Sequence, residues 1–460
     1  MLVTAETVDI VVVGMGPGGE YAATRLAQSG LRVVGLDGRL LGGECPYFAC
    51  VPTKAMVRAA SALAEARRVP ELAGTAAVQA DWTTVATRIR DEITHNWDDT
   101  AAVERFEKAG GQFVRGWGRI SAAGEVTVST ADGERVFRAE RGIVLNPGTA
   151  PAVPPLPGLA GTPYWTNREA VAATAVPESL IVLGGGPVGA EFSQIFARFG
   201  ATVTNVAGRR LVPRDEPEAS ELLAKVFESE GISVRAGVRG TQVAYDGTDF
   251  TLELDNGETL RARQLLVATG RRIDLAALGI GALGLDETAK SIPVDGRMRA
   301  ADGLWAIGDV TGEGAFTHMS MYQARIAVDD ILGELAVEAQ YRAVPRVTFT
   351  DPEIGAVGLT EEQARTAGLT VRTGYSDLTQ STRGWLHKVG NQGFIKLVED
   401  ADRGVLVGAT SVGPDGGEVL AALVVAIHAQ VPTSTLREMI YAYPTFHRAI
   451  EPAIDALTSD

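Results

Sequence analysis

Cysteine and histidine are scarce in this chain, with two of the first and five of the second among 460 residues. That count excludes a disulfide-dense secreted scaffold, and it leaves no second Cys/His cluster to complete a zinc site, so no metal ligands are assigned. Long apolar runs are also missing. The stretch "VDIVVVG" near the start is too short to span a membrane and lacks a basic flank, so it reads as a buried strand. Positive charge is in deficit. The formal net charge is −15, which argues against nucleic-acid and membrane-surface partners, and most of the 42 basic residues are arginines. Without a leader pattern the expected compartment is the cytoplasm, where a stable structural disulfide would be out of place. What remains is an ordinary soluble composition, 45% apolar and 22% charged, long enough for two to four domains.

Both cysteines fall in "GGECPYFACVPTKAM", residues 42–56. Three readings compete: a structural disulfide, half of a metal site, or a redox pair. On a regular helix, positions i and i+5 rise about 7.5 Å and their Cα atoms lie roughly 8–9 Å apart, beyond disulfide reach. Cys45 and Cys50 can therefore bridge only if the chain between them is irregular, and Pro46 suits a turn or a first helical position. So short a loop gives a structural staple little chain entropy to remove. The spacing favours the redox pair.

Glycine patterns supply the framework. "VDIVVVG" runs into "GMGPGG", where Gly14, Gly16 and Gly19 form G-x-G-x-x-G ahead of a helical stretch. A second strand, "LRVVGLD", ends in Asp37. Strand, loop, helix, strand and acid in this order predict a dinucleotide site, with the pyrophosphate on the helix N-terminus and the carboxylate on a ribose hydroxyl. The pattern recurs in "SLIVLGGGPVGAEFSQIFARFGATVTNVAGRR", with Gly184, Gly186 and Gly189. There the acid is absent. Ala207 takes its place, followed by Gly208, Arg209 and Arg210. Guanidinium groups can bind a 2′-phosphate that a carboxylate would repel, so this second site is expected to prefer NADPH over NADH. The alternative for the two arginines is a solvated turn.

Two such units with a cysteine pair after the first give a chain that resembles the FAD-dependent pyridine nucleotide–disulfide oxidoreductases, the group of glutathione reductase, dihydrolipoamide dehydrogenase and mercuric reductase. The resemblance covers nearly the whole chain. "GGECPYFACVPTKA" is similar to the family's redox helix, "LNPGTAP" (145–151) and "LLVATGRR" (265–272) to its two crossings between domains, and "LWAIGDV" (304–310) to its late flavin motif. "VTFTDPEIGAVGLTEEQA" (347–364) is similar to the opening of its dimerisation domain.

The resemblance implies an α/β fold with two Rossmann-like domains, the NADPH domain inserted in the FAD domain, and a C-terminal α+β dimerisation domain. The implied boundaries are 1–150 and 272–340 for FAD, 151–271 for NADPH and 341–460 for the interface. It implies a homodimer whose C-terminal segment enters the partner's active site. FAD contacts fall on Gly14, Gly16, Gly19, Asp37, Gly43, Gly118, Gly148, Gly308 and Asp309. NADPH contacts fall on Gly184, Gly186, Gly189, Arg209, Arg210, Gly270 and Arg271. Cys50 becomes the thiol nearest the flavin and Cys45 the outer, interchange thiol. Lys54 and Glu191 match the family's ion pair beside the flavin, against the plainer readings of a surface lysine and a helix-start acid. Other residues read as structural: His318 and Met319 as flavin floor and dimer core, His387 and His428 as surface or interface histidines, and the charge run "DEPEASE" (215–221) as a solvated helix start.

The resemblance breaks near the C-terminus. The family's disulfide reductases end in His-Pro-Thr-x-x-Glu, where the His exchanges protons with the interchange thiol. This chain reads "YAYPTFHRAIE", with Tyr443 at the His position and Arg448 at the Glu position. It also ends without the extra cysteine pair that mercuric reductases carry. Two readings of His447 stand: that it caps or packs at the dimer interface, or that it is a relocated acid–base, a helix from Pro444 placing His447 and Glu451 one turn apart with Tyr443 as an auxiliary donor. The function expected is an NADPH-dependent flavoprotein oxidoreductase acting through Cys45–Cys50 on a disulfide or other thiol-reactive small molecule. The alternatives are direct reduction of a quinone, metal ion or oxygen with the thiols secondary, and a redox-sensing flavoprotein with little turnover.

Overall fold

The computed structural model describes residues 4–334 and 337–457. The chain divides into two compact units: Met1–Thr53, Thr87–Pro151 and Arg271–Tyr341 form the first; Lys54–Ala86, Ala152–Gly270 and Arg342–Asp460 the second.

The first unit is built on β1 (Glu6–Val13), whose residues Ile10, Val11 and Val12 are fully buried. A strand covered on both faces reads as a continuous apolar run rather than an alternating one, which is what "VDIVVV" shows. β1 pairs in parallel with β2 (Val33–Asp37) on one side and with Gly133–Leu145 on the other, so Val11 sits between Val34 and Ile143. Gln112–Arg115 and Leu304–Ala306 extend the parallel sheet outward. Helix α1 (Pro17–Gln28) starts on a proline, whose missing N–H costs nothing at the first helical position. Its small buried residues let it lie close to the helix Thr317–Leu332. A Cβ on Gly18 would sit 2.1 Å from Ser320 Oγ.

The second unit contains a four-stranded parallel sheet in the order Ser233–Ala236, Thr202–Ala207, Ser179–Leu183, Gln264–Val267. A three-stranded antiparallel sheet over residues 240–262 and a five-stranded antiparallel sheet over 345–413 complete it. Residues 54–86 cluster here because Trp82 packs against Phe196 and Phe199, and Arg68 pairs with Asp351 at 2.7 Å. Among the described residues no helix is long and apolar enough to cross a membrane.

The charge run at 215–221 is not a solvated face. Asp215 and Glu216 are 5% and 2% exposed. Asp215 accepts from Arg346 Nε at 2.7 Å, and Glu216 takes Lys396 Nζ at 3.1 Å and the N–H of Glu361 at 2.8 Å. Lys396 also reaches Glu218 and Glu361, at 2.7 and 3.0 Å. Burial by itself would lower the Lys396 pKa, but its hydrogen bonds to the three glutamates outweigh that and hold it above the ordinary lysine range. Glu216 and Glu218 lie 180 and 178 residues from Lys396, so nothing local in the sequence announces the burial.

Candidate active site

The first unit gathers its polar groups at the C-terminal ends of β1 and β2, where parallel sheets bind dinucleotides. Gly14 leaves β1 with φ +93°, and a Cβ there would lie 2.1 Å from the carbonyl oxygen of Asn146. Gly16 caps α1, and a Cβ on Gly43 would lie 2.7 Å from the Cα of Gly16. A side chain at either place would fill the cradle. Asp37 ends β2 and points back at this loop, accepting from the N–H of Met15 at 2.9 Å and of Arg39 at 2.8 Å. Desolvation pushes its carboxyl above the usual range, against the pull of those two N–H groups. Gly118 lies in the strand Trp117–Ala122, its Cα facing Leu36. These groups fit the adenosine and pyrophosphate parts of FAD: a bare helix N-terminus for phosphates, a carboxylate for a ribose and a side-chain-free floor.

Asn146 links the parts. It is 5% exposed, and in the amide orientation that satisfies both ends its oxygen accepts from Gly19 N–H at 2.9 Å while its nitrogen donates to the carbonyl of Ile307 at 3.2 Å. It thereby joins the glycine loop to the late motif. There Gly308 N–H donates to Gln323 Oε1 at 2.6 Å, and Asp309 accepts from the Thr149 hydroxyl at 2.7 Å. Arg271 donates from Nε to Thr149 Oγ1 and from Nη2 to the Thr149 carbonyl at 2.7 Å, and reaches Glu44 at 3.4 Å. A chain of contacts thus runs from Asp309 to the residue before Cys45. Gly148 (φ +65°) and Gly270 (φ +122°) have no atom within 4 Å of a Cβ position and leave open space.

The chain between the cysteines is irregular, as a bridge requires. Helix α2 (Glu44–Phe48) stops at Ala49, which has φ −134° and ψ −110°, and helix α3 (Cys50–Leu72) starts afresh. Both cysteines are partly buried. Cys50 Sγ lies 3.4 Å from the hydroxyl of Thr317, the first residue of the helix Thr317–Leu332. Lys54 follows Cys50 by one turn of α3.

In the second unit Lys54 Nζ meets Glu191 Oε2 at 2.8 Å. Glu191 is 3% exposed, and its other oxygen accepts from Phe349 N–H at 3.0 Å. The lysine also sits 4.8 Å above the Phe349 ring. The second glycine loop repeats the first: a Cβ on Gly184 would lie 2.1 Å from the carbonyl oxygen of Ala268, one on Gly189 would lie 1.9 Å from that of Gly184, and Gly186 is open. Beyond Ala207 the two arginines diverge. Arg210 donates to the carbonyl of Asp215 at 2.7 Å, while Arg209 is exposed. A third arginine joins it: the Arg239 side chain crosses Gly208, with Cγ 3.5 Å from the Cβ position there.

At the C-terminus Tyr443 is 65% exposed, its hydroxyl 3.3 Å from Thr382 Oγ1. The expected helix from Pro444 does not form. Thr445 Oγ1 donates to the carbonyl of Ala442 at 2.7 Å and accepts from Arg448 N–H at 3.3 Å, holding a turn, and a 3₁₀ turn, His447–Ala449, leads into the α-helix Ile450–Ala456. Glu451 does not orient His447 either. It pairs with Arg448 at 2.8 Å, and His447 Nε2 instead faces Thr445 Oγ1 at 3.4 Å. A permanently charged guanidinium outcompetes an imidazole for the carboxylate.

Asn146, Thr149, Thr317 and Arg239 are functional candidates that sequence reasoning missed. Asn146 carried one signal, an amide between an apolar strand and a proline. Thr317 and Arg239 carried none, because their partners are remote in sequence. Among the described residues no cluster of His, Cys, Asp or Glu could hold a metal ion.

Comparisons with known proteins agree over nearly the whole chain. A sequence model of the family described as "Pyridine nucleotide-disulphide oxidoreductase" matches residues 8–329, and one for that family's dimerisation domain matches residues 344–454. The chain is 34% identical over 463 residues to the dihydrolipoyl dehydrogenase of Chlorobaculum tepidum, covering 98% of this chain and 97% of that one. It is 32% identical over 464 residues to the mercuric reductase of Acidithiobacillus ferrooxidans, covering 98% and 83%. Its fold is similar to the solved HOCl-induced flavoprotein disulfide reductase RclA of Escherichia coli, with a TM-score of 0.83, 26% identity and coverage of 98% and 99%.

Proposed function

Because this chain belongs to the pyridine nucleotide–disulphide oxidoreductase family, we propose that it takes two electrons from NADPH and delivers them through the Cys45–Cys50 pair to a disulfide or another thiol-reactive small molecule. The observation that carries the reading is the helix break at Ala49, with Cys50 Sγ 3.4 Å from the Thr317 hydroxyl. FAD, when bound, supplies the acceptor for the nicotinamide hydride and the donor to the disulfide. The glycine loop, Asp37, Asn146 and Asp309 would hold and orient it. The Thr317 hydroxyl donates to the Cys50 thiolate and steadies its charge. Lys54, one turn along α3, supplies a positive charge, and Glu191 fixes its ammonium. Cys45 attacks the substrate, and a proton for the leaving thiolate comes from the exposed phenol of Tyr443 on a second copy of the chain. The apolar side chains of Val425 and Ile440, 65% and 96% exposed, support a dimer that would cover them.

Anaerobic titration with NADPH tests this. Two-electron reduction should produce a long-wavelength charge-transfer band. Cys50→Ser should abolish it, and Cys45→Ser should retain it. Passage straight to fully reduced flavin without the band would overturn the reading. One observation favours a second reading, direct reduction of a quinone, metal ion or oxygen: Glu451 is engaged by Arg448, so no His–Glu dyad serves the thiols. Turnover that survives Cys45→Ser would select it.

A further inference from the structure

The segment ending at Trp97 holds the longest run of left-handed non-glycine residues among the described residues. A single turn of π-helix, Arg88–Ile93, ends at Thr94, and three successive non-glycine residues follow in the left-handed region: His95 at φ +48°, Asn96 at +56° and Trp97 at +55°. A left-handed conformation costs an ordinary residue about 1–2 kcal/mol, and three in a row persist only when the surroundings over-determine them. Isolated π-helical turns share that character. Thr94, fully buried, pins the segment with its hydroxyl on the carbonyl of Ile89 at 2.9 Å.

What the strain achieves is the placement of one side chain. The Trp97 indole N–H donates to the carbonyl of Tyr47 at 3.1 Å, and its ring stacks on Phe48 with centroids 6.2 Å apart and planes 20° from parallel. Tyr47 and Phe48 are two of the four residues between Cys45 and Cys50. Two positions beyond Trp97, buried Asp99 accepts from Leu41 N–H at 2.6 Å and is held in turn by both terminal nitrogens of Arg115, at 2.9 and 2.8 Å. The segment therefore grips the cysteine loop at two places, ahead of Gly42 and just before the break at Ala49. The sheet supplies the anchor through Arg115, which ends the strand Gln112–Arg115.

We propose that Trp97 is a positioning residue that holds the helix break at Ala49 and thereby sets the dithiol–disulfide equilibrium of Cys45 and Cys50. The inference rests on the redox-pair reading above. If α2 ran on through Ala49 into α3, the two Cα atoms would stand roughly 8–9 Å apart and no bridge could close. The Tyr47 carbonyl sits on the last turn of α2, and the indole N–H that takes it favours a chain that turns away. Pro52 bars a fully continuous helix, so loss of the clamp instead frees α2 and the Ala49 junction to sample other arrangements; fewer conformers are then competent to close and the disulfide is less favoured.

The test equilibrates the purified flavoprotein anaerobically with reduced and oxidised dithiothreitol, quenches with acid, alkylates and reads the bridged fraction by mass. Closing the bridge removes two protons and two electrons from Cys45 and Cys50. Oxidised dithiothreitol accepts both and becomes the dithiol. Trp97→Ala should lower the closing constant about tenfold, which equals about 30 mV in midpoint. Trp97→Phe keeps the stack and loses the N–H, so it should fall in between, at about threefold. Asn96→Gly keeps the left-handed backbone accessible and Trp97 in place, so it should leave the closing constant unchanged. A Trp97→Ala constant within twofold of wild type would sink the clamp. Should that variant lose FAD or its fold, Trp97→Phe decides, and a constant equal to wild type overturns the proposal. A wild-type protein that forms no bridge at any dithiothreitol ratio overturns the redox-pair reading itself, a different result from an unmoved midpoint.

Discussion

Lys54 and Glu191 stand 137 residues apart in sequence and 2.8 Å apart in space, with Phe349 N–H on the remaining carboxylate oxygen. Among the described residues Lys54 and the Phe349 N–H are the hydrogen-bond partners of this carboxylate, which is 3% exposed. Lys54→Met should therefore destabilise the protein by about 1–3 kcal/mol, the cost of leaving a buried charged acceptor short of a donor. Glu191→Gln keeps an acceptor for Phe349 N–H and should cost less. Urea denaturation of both variants checks the order, and reversal would show that the lysine end is the weaker member. Stopped-flow mixing with NADPH should show slower flavin reduction in Lys54→Met.

Thr317→Val removes the hydroxyl 3.4 Å from Cys50 Sγ while keeping its shape. A donor to a thiolate favours the charged form, so its loss raises the pH at which the thiolate appears. The charge-transfer band of the reduced enzyme, followed against pH, should shift upward by about one pH unit, the size of one charge-assisted hydrogen bond. An unmoved midpoint would mean that the hydroxyl acts as acceptor there.

The buried Lys396 cluster predicts an acid-sensitive joint. Hydrogen bonds to Lys396 hold the Glu361 carboxyl below its usual range, against the effect of burial. A lowered folded-state pKa contributes stability that is present above the unfolded value, about 4.3, and is lost as pH falls through the folded value. Lys396 is raised, so its share is fully present below the unfolded lysine value, about 10.4, and is lost only as pH rises through the folded one. Lys396→Met should cost roughly 3–5 kcal/mol at pH 7, because it strands the buried Glu216 carboxylate. The deficit should shrink as pH falls through the lowered folded-state value of Glu361, where that carboxyl is protonated in either state. Thermal melts of both proteins across pH 3–9 give the two curves, and a deficit independent of pH would refute the assignment.

The second dinucleotide site predicts unequal arginines. Among the described residues the side chains of Arg209 and Arg239 make no hydrogen bond or ion pair, Arg239 bonding to Asp255 only through its backbone, whereas Arg210 is committed to the carbonyl of Asp215. If the site takes NADPH, Arg209→Gln and Arg239→Gln should each weaken binding of 2′,5′-ADP by roughly ten- to a hundredfold, one charge-assisted contact apiece, with little change for 5′-AMP. Arg210→Gln should spare the discrimination. Calorimetry with the two ligands separates the cases, and equal affinities in the wild type would refute the NADPH preference as a whole.

Tyr443 and His447 can be ranked. With Glu451 engaged by Arg448 at 2.8 Å, the imidazole lacks a carboxylate to orient it. Tyr443→Phe should slow thiol-dependent turnover by roughly 10²-fold, the lower end for a lost proton donor. His447→Ala should stay within about tenfold, below the range of an acid–base catalyst. Steady-state rates with the substrate found by screening give the order. A larger loss in His447→Ala would restore the relocated acid–base.

Much of this architecture is legible in the sequence because its determinants are local. β1 and β2 follow from apolar runs, the two nucleotide loops from glycine spacing, and the helix break from the reach of a disulfide set against a five-residue spacing with Pro46 inside it. Residue types there answer to backbone geometry a few positions away. What only the tertiary structure decided depends on groups brought together from afar. Asp215 and Glu216 look like a hydrophilic helix start until Arg346 and Lys396 arrive to bury them. Arg209 and Arg210 are adjacent and chemically alike, and only the fold turns one inward and brings Arg239 to the other. His447 and Glu451 had the right spacing for a dyad, but a turn held by Thr445 and a stronger cation at Arg448 claimed the carboxylate. Sequence spacing limits which pairs can meet, while competition among partners in space determines which pairs do.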